Sequence, residues 1–143
     1  MLFMYVNVWA VLSAAVASMV IGFLWYSPLL FAKPWMTAMG YNPEDKERIA
    51  DMQKSAGPKY FVSFLASLLG AFALGKIVFH MSITTSYHGM KVAFAVWIGF
   101  VMTVQLTDKL FGDRPWNLFL MNTGYQLASL LAMGAILGRW AGA

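Results

Sequence analysis

Apolar residues run through this chain in four long blocks, and charged residues are confined to the gaps between them. No Asp, Glu, Lys or Arg occurs from Met1 to Ala32, nor from Phe61 to Gly75. The blocks cover about 6–27, 60–79, 89–106 (reaching toward 111) and 118–138. A helix needs roughly 20 mostly apolar residues to cross about 30 Å of hydrocarbon, so each block is long enough to span a bilayer. The pattern predicts an all-α membrane protein with four transmembrane helices in a single domain. The first block begins at Leu2 with no basic segment before it and is too long for the core of a secretion signal. It is therefore expected to remain as span one.

The blocks are related in pairs. Leu65-Ala66-Ser67-Leu68-Leu69, followed by Gly75-Lys76, recurs as Leu127-Ala128-Ser129-Leu130-Leu131, followed by Gly138-Arg139. Ile21-Gly22-Phe23, leading to Lys33-Pro34-Trp35, likewise matches Ile98-Gly99-Phe100, leading to Arg114-Pro115-Trp116. The chain is thus expected to be two duplicated helical hairpins, one at about 6–79 and the other at about 89–140. An even number of spans per copy keeps both copies in parallel orientation, related by an axis along the membrane normal. The segment 36–58 has no counterpart in the second copy and reads as an insertion.

Within that insertion Asn42 is placed to cap a short helix, Pro43 suits its first turn, and Glu44 and Asp45 sit at its positive end. Glu44 and Arg48 form a favourable pair, whereas Glu47 and Asp51 repel. Ile49 and Met52 give the helix a thin apolar edge, and Gly57-Pro58 is expected to end it. Such a helix lies on the membrane surface or docks a partner.

Composition agrees with the pattern: 60% of residues are apolar and 11% charged, against roughly 25% charged in soluble proteins. The net charge of +4 comes from basic residues at span ends, where headgroups and orientation account for them; nucleic-acid binding is not expected. Lys33, Lys46, Arg48, Lys54, Lys59, Lys109 and Arg114 fall on one side, and Lys76, Lys91 and Arg139 on the other. Positive residues favour the cytoplasm, which predicts cytoplasmic first and third loops with both termini outside. Cysteine is absent, which removes disulfides and thiolate chemistry.

Lipid is as apolar as leucine, so spans associate through small residues that let backbones approach. Stripes at four-residue spacing supply them: Ala10, Ala14, Ser18 and Gly22; Ser63, Ser67, Ala71 and Gly75; Ala95, Gly99, Thr103 and Thr107; Gly124, Ala128 and Ala132. Ser129 lies beside the last of these stripes, and Gly134, Gly138 and Gly142 form a further row suited to packing or to a homo-oligomer contact.

Chemistry has few candidates. Trp25-Tyr26-Ser27-Pro28 places two amphipathic aromatics at headgroup level and a proline that ends or kinks the span, with Ser27 able to satisfy a freed carbonyl. The alternative for Tyr26 and Ser27 is lining a ligand site. His80 and His88 match no metal-ligand spacing. No nucleophile–base arrangement or phosphate loop is present, so no catalytic residue, metal or cofactor is expected and the chain is not read as an enzyme. Asn122, Gln126 and Ser129 share one face of span four, and Gln105 and Asp108 lie at similar depth on span three. Their matching positions in the first hairpin are Pro28 for Gln105, Tyr60 for Asn122 and Phe64 for Gln126, so this polarity belongs to the second hairpin. Two functions fit. One is a small-solute or ion transporter or channel whose cleft is lined by Gln105, Asp108, Asn122 and Gln126. The other is a structural or accessory membrane subunit acting through helix contacts, for which the same residues are an interhelical clamp.

Gly22-Phe23-Leu24-Trp25-Tyr26-Ser27-Pro28, continuing through Lys33-Pro34-Trp35, resembles the bacterial DUF1761 family of integral membrane proteins. The Asn7-to-Leu12 opening and Met39-Gly40 are similar to that family as well, and Ala32 stands where it commonly has glycine. The resemblance implies four membrane helices in a bacterial inner membrane and brings no activity with it. Because cysteine is absent, orientation is open to a clean test: Ser55→Cys should react with an impermeant thiol reagent only after lysis. Labelling in intact cells would reverse the assignment.

Overall fold

A computed structural model describes residues 6–140, which are helical between short turns, with no strand among them. The elements are α1 (Val8–Trp25), α2 (Ala32–Ala38), α3 (Lys46–Lys54), α4 (Ala56–His80), α5 (Ser86–Val96), a π-helical turn (Trp97–Val101), α6 (Met102–Phe111) and α7 (Trp116–Trp140). Helix α5, the π turn and α6 form one rod. That rod and α1, α4 and α7 are long and apolar enough to cross a membrane. The protein is a multi-pass membrane protein.

The helix ends are fixed locally. Asn7 caps α1, its side chain accepting from the amides of Trp9 and Ala10. Helix α1 stops ahead of Pro28, where Ser27 Oγ donates to the Leu24 carbonyl at 2.7 Å, as the kink predicts. Helices α2, α4 and α6 end alike, each followed by a left-handed residue: Gly40, Ser82 and Asp113. Beyond it the amides of Tyr41, Ile83 and Arg114 reach back to the carbonyls of Met36, Val78 and Lys109, which satisfies carbonyls the helix leaves open.

Pro34 and Trp35 lie within α2, where a proline in the first turn gives up an amide that would be unpaired anyway. Two details of the insertion differ from expectation. Asp45, not Asn42, caps α3, accepting from the Arg48 amide, while Asn42 closes the preceding turn by accepting from the Glu44 amide. Gly57 and Pro58 fall in the first turn of α4, so span two starts earlier than its apolar block.

Helix α7 is the hub. It packs closely on α5 and α1 and also touches α4; α1 packs on α4, whereas α4 and α5 barely meet. The tightest crossing is that of α5 with α7. A Cβ on Gly89 would collide with the Gly134 carbonyl oxygen, one on Gly134 would lie 2.8 Å from Ala93 Cβ, and one on Gly138 would strike the Thr85 carbonyl oxygen. Ser86 Oγ donates to the Ala135 carbonyl at the same crossing. Beside it, Ala10, Ala14, Ala71, Leu74, Val78, Ala93, Met133 and Leu137 build a dry core. Gly75 belongs to it: its missing Cβ leaves room for Val6 at 3.1 Å and Leu137 at 3.4 Å.

The stripe on span three is a correction. Ala95, Gly99, Thr103 and Thr107 are all exposed, and a Cβ on Gly99 would meet nothing within 4 Å. The face that packs carries Gly89 and Ala93 instead, since those residues meet the glycines of α7. Gly142 lies outside the described residues.

These crossings sort the glycines. Gly89→Ala and Gly134→Ala should each cost about 1–3 kcal/mol, the usual penalty of overpacking. Gly70→Ala, which meets open space, should be neutral or up to about 1 kcal/mol stabilising through helix propensity. Detergent-titration unfolding of the three variants measures both.

Candidate functional site

The seam between α1 and α7 changes character along its length. At the end near Asn7 alanines of α1 share the apolar core with Met133 and Leu137 of α7; toward Trp25 it becomes polar and aromatic. Ser129 Oγ donates to Ser18 Oγ at 2.6 Å, and Tyr125 Oη donates to the Ser18 carbonyl at 3.2 Å. Tyr125 fits there because Gly22 opposite has no side chain: a Cβ on Gly22 would lie 3.2 Å from the tyrosine oxygen. One turn on, Tyr26 Oη donates to Asn122 Oδ1 at 2.6 Å, and Trp25 Nε1 donates to the Met121 carbonyl at 2.9 Å. Gly124 gives the Trp25 ring its space.

Span three is gripped by a residue that no sequence pattern singles out, Thr123. Its carbonyl accepts from Trp97 Nε1 at 3.0 Å, and its hydroxyl donates to Gln105 Oε1 at 2.6 Å. The π turn makes both contacts available to one residue. Its mark is the Met102 amide bonding the Trp97 carbonyl, five residues back. In an unbroken α-helix, Gln105 would stand about 120° round from Ala93. One extra residue in a π turn removes roughly 100° of that, which brings Gln105 back onto the face that packs on α7.

Below these bonds, at the end of the bundle carrying the first and third loops, a cavity of about 280 Å³ opens. Gln105, Asp108, Asn122 and Thr123 line it together with Trp35, Lys109 and Arg114. Lys109 Nζ lies 4.1 Å from the centre of the Trp116 ring, and Arg114 Nη1 lies 3.9 Å from Met39 Sδ. Asp108 forms no ion pair with Lys109 or Arg114, so its carboxylate stays available to a solute. The amides are also half used. Each oxygen accepts a hydroxyl, and no buried side-chain nitrogen or oxygen lacks a partner among the described residues. The unbonded amide nitrogens of Gln105 and Asn122 therefore sit at accessible surface.

Three of the four expected site residues thus come together. Gln126 does not: it lines none of these cavities and its amide has no hydrogen-bond partner among the described residues. Of the packing residues, Gly22, Gly75, Ser129 and Gly138 sit in helix contacts. Ser67 makes only a long approach to Met19 Sδ at 3.9 Å, and Ala128 is half-buried. Tyr26 exceeds its expected role at the interface, since it bonds span four and lines two further cavities. Ser27 serves only its own helix end.

A family described as "Protein of unknown function (DUF1761)" matches residues 9–138, nearly the whole chain, and the chain belongs to it. No curated protein and no solved structure matches.

Hydrogen bonds between membrane helices average about 0.6 kcal/mol and reach about 1.7. A double-mutant cycle with Tyr26→Phe and Asn122→Ala should return a coupling in that range. A cycle pairing Tyr26→Phe with Gln126→Ala should return none.

Proposed function

We propose that this member of the DUF1761 family binds a small polar solute or ion in the cavity of its second hairpin and carries it across the membrane. The observation behind this reading is the convergence of Gln105, Asp108 and Asn122 on one cavity, with unspent donors and an unpaired carboxylate. Ionisable groups near a membrane interior mark solute and ion pathways more often than they stabilise a fold. The opposite end is closed by the alanine and glycine core, as one state of a carrier that opens to one side at a time would be. On the distribution of basic residues the cavity faces the cytoplasm of a bacterial inner membrane. The repeated Leu-Ala-Ser-Leu-Leu motif supports an origin by duplication of a hairpin.

The second reading is an accessory subunit, and one observation favours it. The polar side chains where α7 meets α1 and span three are spent on other helices, from Ser18–Ser129 to Gln105–Thr123.

Protein reconstituted into vesicles separates the two, with uptake measured over a panel of amino acids, small carboxylates, amines and monovalent ions. A hydrogen bond to a charged group contributes about 1.5–3 kcal/mol. Asp108→Asn should therefore cut uptake of the accepted solute about tenfold or more while leaving thermal stability nearly unchanged. Absence of uptake for the whole panel would favour the accessory reading.

A further inference from the structure

A second cavity of about 410 Å³ lies under the α2–α3 segment. Trp35 and Met36 of α2 and Ile49 and Met52 of α3 face it, so the apolar edge of α3 points into this space. Lys59 and Gln53 are its polar wall toward the loop, and Tyr26 and Tyr60 stand on the side toward the spans. The two tyrosines also line a third cavity of about 240 Å³, which continues between α1 and α4 to Met19, Gly22 and Ser63. The two cavities therefore adjoin along one groove.

The groove is ordered along the membrane normal. Lys59 is in the first turn of α4, and Ser63 lies one turn, about 6 Å, deeper. Met19 lies roughly 9 Å in from the Trp25 end of α1. A cation comes first, then two tyrosines, then apolar and small residues. A bilayer lipid presents the same order of headgroup, interface and chain. Apolar voids do not hold water well, and the protein does not fill this one. Glu47 and Asp51 of α3 do not line it, so Lys59 sets the charge at its mouth.

We propose that this groove binds one acyl chain of an anionic phospholipid, its phosphate at Lys59 and its chain passing Tyr26 and Tyr60 toward Met19. The site adjoins the polar cavity but does not depend on the transport reading. Only the wall residues Trp35 and Asn122 are common to the two.

The test uses the full chain in phosphatidylcholine vesicles containing chain-brominated phosphatidylglycerol or, at equal mole fraction, chain-brominated phosphatidylcholine. Bromine quenches nearby indoles, and the difference between wild type and Trp35→Phe isolates Trp35. Quenching by the anionic lipid should exceed that by the zwitterionic one about fivefold, the factor one lysine contributes at an anionic surface. Lys59→Gln should abolish the preference. Ala56→Leu and Ser63→Leu, which narrow the groove at two depths, should each lower quenching by both lipids. Lipid retention by native mass spectrometry of the wild type gives an independent reading and should favour phosphatidylglycerol. Equal quenching by the two lipids, a preference that survives Lys59→Gln, or quenching indifferent to both leucine variants would overturn the proposal.

Discussion

Two helices in lipid gain nothing by hiding leucines from one another, so their association depends on how closely their backbones approach. Here that constraint is met at the crossing of α5 and α7, where Gly89, Gly134 and Gly138 leave no room for a Cβ. The approach brings Ser86 within bonding distance of the Ala135 carbonyl and sets Ala93 into the core. With α5 fixed to it, α7 offers its remaining faces to α1 and α4. The arrangement of the other spans follows from that one contact.

The same helix explains why the bundle is closed at one end and hollow at the other. Alanine and glycine meet at the closed end, so the helices touch along their backbones. Toward Trp25 the seam must hold Trp25, Tyr26 and Tyr125, and the rings of Tyr125 and Trp25 lie against Gly22 and Gly124. Large side chains hold backbones apart, and bonds from Tyr26 to Asn122 and from Trp25 to Met121 fix the separation. The space left beside them is the cavity. Its polarity follows as well, since residues bonded on one side in a low-dielectric setting present their remaining donors on the other.

Much of this was legible in the sequence and some was not, for identifiable reasons. Apolar block length located the four spans, and the inward polar face of α7 was visible in the spacing of Asn122 and Ser129. Four-residue spacing picked out Gly75 and Gly138, where a Cβ would meet Val6 and the Thr85 carbonyl oxygen. The same rule failed for Gly99, because spacing reveals a stripe without saying which way the helix is turned. The same spacing also holds for Thr85, Gly89 and Ala93 at the start of α5, and Gly89 is the most crowded of the described glycines. Thr123 looked like an ordinary span residue; its role depends on a π turn that no residue pattern announces. Gln126 was placed by helical spacing beside Asn122, but a 40° offset per four residues is enough to separate neighbours at the edge of an interface.

The likeness of the two hairpins makes the asymmetry of the bundle informative. A strict two-fold would make the α1–α7 and α4–α5 contacts equivalent, yet the first is extensive and the second slight. By the sequence match, the pair corresponding to Tyr26 and Asn122 is Thr103 and Tyr60. Thr103 is exposed and bonds only the Gly99 carbonyl of its own helix, while Tyr60 stacks on Phe23. The polar seam therefore exists on one side alone. Gln105 and Asn122 stand where the first hairpin has Pro28 and Tyr60, and the two hairpins are joined through α1 and α7. The likeness between the hairpins therefore stops at the polar seam, and Gln105 and Asn122, which line the cavity, stand at positions where the two hairpins differ.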